Sequence, residues 1–104
     1  MIDEAVIVEA GQRLLAAAPA GSQVILFGSQ ARRDADENSD LDFLVIEPDV
    51  KNPARESVRL RRALDGMLVA ADIVVVSEES VRQWREVYGT VIHSALSEGR
   101  PLEG

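Results

Sequence analysis

The chain contains no cysteine, which excludes a disulfide framework and a thiolate zinc site. It has no apolar run near the roughly 18 residues of a membrane-spanning helix. The first residues, MIDEAVIVEAG, are acidic and lack the layout of a secretory signal, so the cytoplasm is the expected compartment. Aromatic residues are scarce, limited to Phe27, Phe43, Trp84 and Tyr88. The single histidine, His93, has no second ligand or nucleophile at a telling distance, and no catalytic role is expected of it. An excess of positive charge is also missing. The net charge is −7, from 18 acidic and 11 basic residues. An acidic surface repels a polyanion, so direct nucleic-acid binding is not expected. There are no internal repeats, low-complexity tracts or linkers, and 104 residues make one domain, 1–104, with one modest core.

What is present concentrates in one stretch, VILFGSQARRDADENSDLDFLVIE, from Val24 to Glu47. An apolar run ends in Gly28-Ser29, and a second opens with Asp40-Leu41-Asp42 and continues through Phe43, Leu44, Val45 and Ile46. Both runs are short, rich in β-branched and aromatic residues, and bounded by turn formers, so they read as buried strands. Side chains alternate along a strand, which puts Asp40 and Asp42 on one face. Unless one takes a proton, two such carboxylates need a cation between them. Magnesium fits, as a hard, oxygen-bound ion that often shares its shell with substrate phosphates. Gly28 lets the backbone turn tightly beside a ligand. A short helix at Gln30–Arg33 would aim free N–H groups at an anion, with the Ser29 hydroxyl as a further donor. A phosphate cradle beside a two-carboxylate metal site implies chemistry on a nucleoside triphosphate. Arg32 and Arg33 either bind phosphate or simply offset the acidic loop that holds Asp34, Asp36 and Glu37. Asp72, in AADIVVVS, is either a third carboxylate or an ordinary strand-end residue.

The segment GSQARRDADENSDLDFLV resembles the signature of the nucleotidyltransferase superfamily that includes DNA polymerase beta, and most of all its small stand-alone members, the minimal nucleotidyltransferases (MNT). The resemblance spans roughly Val24 to Ser77 and rests on Gly28, Ser29, Asp40, Asp42 and a later strand carrying Asp72. Arg33 departs from the pattern, which usually has glycine there. The resemblance implies an α/β fold with a small mixed β-sheet backed by helices. It also implies transfer of a nucleoside monophosphate, AMP from ATP, to a hydroxyl. Asp40 and Asp42 would bridge two Mg²⁺ ions and Asp72 would complete the metal triad. Gly28 and Ser29 would seat the β- and γ-phosphates, and Arg32 and Ser39 join them in the candidate nucleotide-binding set. Larger relatives carry a further, usually helical, domain for the acceptor, and a chain this short has none to spare. MNT proteins resemble antitoxins whose partner is a helical HEPN-type toxin, so a tyrosine hydroxyl of such a partner is the implied acceptor. Two alternatives stand beside this: a module that neutralises its partner by contact alone, and a small-molecule nucleotidyltransferase.

The remaining segments give the order αβ(α)βαβα. Residues 3–18 read as a helix, with Val6, Ile7, Ala10, Leu14, Ala17 and Ala18 near the helical period and Pro19 and Gly21 as stops. A second helix, about Pro53 to Met67, puts Ser57, Leu60, Leu64 and Leu68 on one face. Its other face carries Arg55, Arg59 and Arg62, which either are solvated or meet an acidic partner or RNA. Residues 71–77 form the third strand. The last helix is expected to run from Ser80 toward Glu98, with Gly99 and Pro101 as its stop. Its stripe of Val81, Trp84, Val87, Tyr88, Val91, Ile92, Ala95 and Leu96 is expected mostly in the core, any remainder forming a docking surface.

Overall fold

The computed structural model describes residues 4–28 and 40–102. Four strands form one mixed sheet: β1 (Gln23–Phe27), β2 (Leu41–Glu47), β3 (Ala71–Ser77) and β4 (Arg100–Leu102), in spatial order β3-β2-β1-β4. β1 pairs antiparallel with both β2 and β4, and β2 pairs parallel with β3. The four α-helices among the described residues are α1 (Glu4–Ala17), α2 (Pro53–Arg61), α3 (Glu78–Trp84) and α4 (Val91–Glu98). This is the expected α/β class with mixed pairing. No helix of the described residues is long and apolar enough to cross a membrane.

β2 is an interior strand, and its two side-chain sets feed two cores. Leu41, Phe43 and Val45 point to one face, where they meet Val24, Leu26 and Val75, Ile7, Ala10 and Leu14 of α1, and Leu60 and Leu64. Leu44 and Ile46 point to the other, against Ile25, Phe27, Val74, Val76 and Ala95 of α4. Full burial of such side chains stabilises the fold by about 1.5–3 kcal/mol each. Double-sided burial explains why β2 reads as a near-continuous apolar run. Gly11 sits where α1 meets β4. A Cβ there would come within 2.7 Å of Leu102 Cδ1, so this close approach requires the missing side chain.

α2 starts as expected, with Asn52 accepting a hydrogen bond from the Arg55 amide at 3.1 Å and Pro53 in the first turn. It ends earlier than Met67. After Arg61 a 3-10 turn, Arg62–Leu64, tightens the chain and Gly66 turns it at φ +91°. Leu60 and Leu64 are buried as expected, whereas Leu68 lies beyond the helix and is fully exposed.

The last helix is two helices. α3 ends at Trp84, Gly89 adopts φ +90°, and Thr90 caps α4 by accepting from the His93 amide at 3.1 Å. An apolar stripe that would share one face of a continuous helix is thereby split. Ile92 and Ala95 are buried, but Trp84, Val87, Tyr88 and Val91 are exposed. The expected helix stop at Gly99-Pro101 instead leads into β4, whose Pro101 occupies an edge strand, where a missing N–H is tolerated.

Among the described residues, one charged side chain lies inside the structure. Glu47, at the end of β2, is 2% exposed. Burial, followed by a hydrogen bond to Glu56 and its charge, pushes the Glu47 pKa up to about 7. Glu56 is held down to about 2 by Arg59, which donates to both its oxygens at 2.7 Å, and by Glu47. Arg59 of the expected basic stripe is therefore engaged within α2, while Arg55 and Arg62 are exposed.

Two outcomes follow. Gly89→Ala should destabilise the protein by about 1 kcal/mol in urea titrations, because an L-residue is strained at positive φ; in a continuous helix the same change would stabilise. For the Glu47–Glu56 pair, the native state holds a proton on Glu47 that the unfolded chain has lost, so its contribution falls as pH rises from about 4.5 to 7. Glu56 acts oppositely, losing its contribution as pH falls from about 4.5 to 2. Urea midpoints measured across pH should show the upper slope flattened in Glu47→Gln.

Candidate active site

The parallel register of β2 and β3 sets Asp42 directly beside Asp72, and the antiparallel register of β1 and β2 sets Phe27 opposite Asp42. Neighbouring strands run about 5 Å apart. Asp42 shares its face with Leu44 and Ile46, and Asp72 shares its face with Val74 and Val76. Both carboxylates therefore belong to the α4 side of the sheet, at the end where β1 leaves and β2 and β3 begin. Asp42 is half-buried and Asp72 exposed. Asp40 lies just before β2 and is exposed. The adjoining backbone is tied across the strands, since the Leu41 amide donates to Ala70 O at 3.0 Å.

Gly28 completes this corner. It follows β1 with φ +77°, and a Cβ there would lie 2.5 Å from Asp42 Oδ2. Only glycine combines that backbone conformation with room for the Asp42 carboxylate. The sequence motif placed Gly28, Asp42 and Asp72 in one site, and the structure brings these three together, with Asp40 two residues upstream. Ser29, Arg32 and Ser39, and the short helix expected at Gln30–Arg33, lie outside the described residues.

The donor set consists of carboxylate oxygens, the ligands of a hard divalent cation, and Gly28 leaves space around one of them. These residues fit magnesium. Among the described residues, no three acidic or histidine side chains are already drawn into a single metal-holding group.

An apolar groove continues along the same face. Val74 and Val76, the alternate positions after Asp72, line a cavity of about 340 Å³ together with Ser80, Trp84, Thr90, Val91 and Ile92. Tyr88 beside it is 90% exposed and meets the His93 ring edge-on, with centroids 5.6 Å apart. The stripe was expected mostly in the core; Ile92 and Ala95 are there, whereas Trp84, Val87, Tyr88 and Val91 are exposed. Gly89-Thr90, a helix stop followed by a capping residue, is the sequence signal for it.

A mixed sheet with two register-paired aspartates at a glycine turn is an α/β domain with an acidic corner, and comparison with known proteins gives it a family. The nucleotidyltransferase domain model matches residues 8–103, and the chain belongs to this family. Among solved structures, it is similar to a Sulfolobus solfataricus protein assigned as a nucleotidyltransferase, at 25% identity and a TM-score of 0.59, over 76% of this chain and 70% of that one. It is also similar to a toxin–antitoxin complex solved with AMP-PNP, at 22% identity and a TM-score of 0.59. A mutant form of the toxin–antitoxin pair MntA–HpeT shows 20% identity and a TM-score of 0.55. Each of these two covers 99% of this chain and 74% of the other. No curated protein sequence matches the chain.

Gly28→Ala is expected to strain the turn and push the Asp42 carboxylate aside. A loss of about 1–3 kcal/mol in stability is expected, read as a lowered midpoint in urea titrations.

Proposed function

We propose that this nucleotidyltransferase-family chain transfers AMP from ATP to a hydroxyl, releasing pyrophosphate. The observation that carries the reading is the corner at which Asp42 and Asp72 stand side by side and Gly28 makes room for Asp42. Asp40 and Asp42 would together hold two Mg²⁺ ions, and Asp72 would hold the one nearer the attacking oxygen. When bound, magnesium supplies positive charge to the triphosphate and to the attacking and leaving oxygens. Asp72 is the more exposed carboxylate, placed to orient the acceptor hydroxyl and take up its proton. Gly28 and Ser29 would seat the β- and γ-phosphates through backbone N–H groups and the Ser29 hydroxyl, with Arg32 and Ser39 as further contacts. The MntA–HpeT structure is of a double Asp-to-Glu mutant whose substituted aspartates are two residues apart, the spacing of Asp40 and Asp42 here.

The acceptor in this reading is a tyrosine of a helical HEPN-type toxin, which places the chain in the cytoplasm as an antitoxin. Two structural neighbours are toxin–antitoxin complexes, one of them with a nucleotide analogue. This chain also exposes Trp84, Val87, Tyr88 and Val91 along the face that bears Asp72. That surface equally suits a protein that silences its partner by contact alone, so transfer and silencing must be measured separately.

Asp42→Asn keeps the side-chain shape and removes one charge from both metal sites. Label transfer from radiolabelled ATP to the co-purified partner should fall by roughly 10²–10⁴-fold, or several kcal/mol at about 1.4 per decade. Transfer within a few-fold of wild type would remove these carboxylates from the catalytic centre. If neither protein transfers and both silence the partner, the contact-only reading stands. The paired change Trp84→Ala and Tyr88→Ala should weaken partner binding by at least about tenfold, since buried aromatics dominate interface energies. Charge reversal at Arg55 and Arg62 should leave binding unchanged if the aromatic face is the contact.

A further inference from the structure

The sheet ends in two unlike edges. β4 is three residues long and carries Pro101, a short, proline-bearing edge that resists further pairing. β3, at the other side, is seven residues long and reads ADIVVVS, with no proline and no basic residue. Which of its backbone groups face outward follows from the register. In a parallel pair, a residue bonds to the two neighbours of its register partner. Leu41 is the partner of Ala71, and its amide donates to Ala70 O at 3.0 Å. Asp72, Val74 and Val76 therefore turn their N–H and C=O groups toward β2, and Ala71, Ile73 and Val75 turn theirs outward. Arg61 Nη1 meets Ala71 O from that outer side at 2.7 Å. The outward N–H and C=O groups of Ile73 and Val75 have no partner among the described residues.

These groups are complementary to their own copy. With a second β3 laid antiparallel about a two-fold axis at Val74, Ile73 of each copy faces Val75 of the other. Each such pair exchanges both of its hydrogen bonds and leaves Ala71 O to Arg61. On the α4 side, Val74 meets Val74 of the second copy, and Asp72 lies across from Val76, so no two carboxylates oppose one another. On the α2 side, Val58 stands one turn before Arg61 and is 57% exposed, which adds apolar surface beside the edge. The ends match in charge. This register sets Ser77 across from Ala71, so Glu78 and Glu79 of one copy approach Arg61 and Arg62 of the other. All four side chains are exposed. Within one chain, the two acids and the two arginines stand at opposite ends of β3.

We propose that the protein forms a two-fold homodimer by antiparallel pairing of β3 with β3 of a second copy, joining the two sheets into one. The pairing needs nothing from the nucleotidyltransferase reading, and its test does not involve that activity. It sets Val76 of the second copy beside Asp72, so each acidic corner borders the other copy.

Sedimentation equilibrium of the intact chain should show a monomer–dimer equilibrium, and amide hydrogen exchange should read its register. At high concentration the Ile73 and Val75 amides should be protected along with those of Asp72, Val74 and Val76. On dilution Ile73 and Val75 alone should become fast. Val74→Lys sets two like charges face to face across the axis and should weaken association at least severalfold. Glu78→Lys with Glu79→Lys should also weaken it severalfold. Adding Arg61→Glu and Arg62→Glu to that pair should restore it, a rescue available only where these ends meet across copies. Urea titration identifies any variant that has lost its fold, and the exchange pattern of the unaltered chain decides without it. A chain that stays monomeric at millimolar concentration would overturn the proposal. So would Ile73 and Val75 amides that are fast at every concentration, a dimer unmoved by Val74→Lys, or a charge swap that rescues nothing.

Discussion

Two carboxylates on adjacent strands repel one another, and the rest of the molecule is arranged so that they stay where they are. Asp42 and Asp72 are register partners in a parallel pair, and their backbone positions cannot part without breaking that register. A one-residue slip would turn every side chain of β2 to the wrong face and drive Leu44 and Ile46 into the other core. Phe43, Leu44 and Val45, fully buried on alternating faces, forbid it. Hydrophobic burial on both sides of one strand thus holds two acidic residues side by side at its end. Such an arrangement is what the proposed magnesium site would draw on.

β2 carries acidic side chains at both ends, and the environments separate their chemistry. Asp40 is exposed and Asp42 half-buried where solvent and a ligand can reach them. Glu47, one strand-length away on the opposite face, is enclosed beneath α2, where burial and then Glu56 push its pKa up to about 7. The same functional group is thus open to solvent and ligands at one end and drawn into neutral hydrogen bonding at the other. Burial decides which.

The strands and their order were legible in residues 24–77, because short β-branched runs bounded by turn formers admit few other readings. The Gly28, Asp42 and Asp72 corner was legible through the family resemblance, whereas alternation along each strand alone left Asp72 open as an ordinary strand-end residue. Less legible was whatever depended on partners distant in sequence. β4 has the composition of a helix stop, and only its pairing with Val24–Leu26 makes it a strand. Trp84 and Tyr88 match a helical core stripe by spacing. Thr90 and a left-handed Gly89 divide that stripe, and a local interruption outweighs a periodic pattern. Glu47 gave no signal either, being one acid after an apolar run, and its burial follows from α2 folding over it.

The antiparallel pairing of β1 with β4 joins Val24 to Leu102, across most of the chain. Closing so long a loop costs entropy before any contact rewards it. During synthesis, β1 can meet β2 early, and the Asp42–Asp72 pair can form once β3 has emerged. The outer edge of β1 stays open until residues 100–102 leave the ribosome. A nascent chain would therefore carry its carboxylate corner on an incomplete sheet, and its order of assembly would run from the β2–β3 side outward.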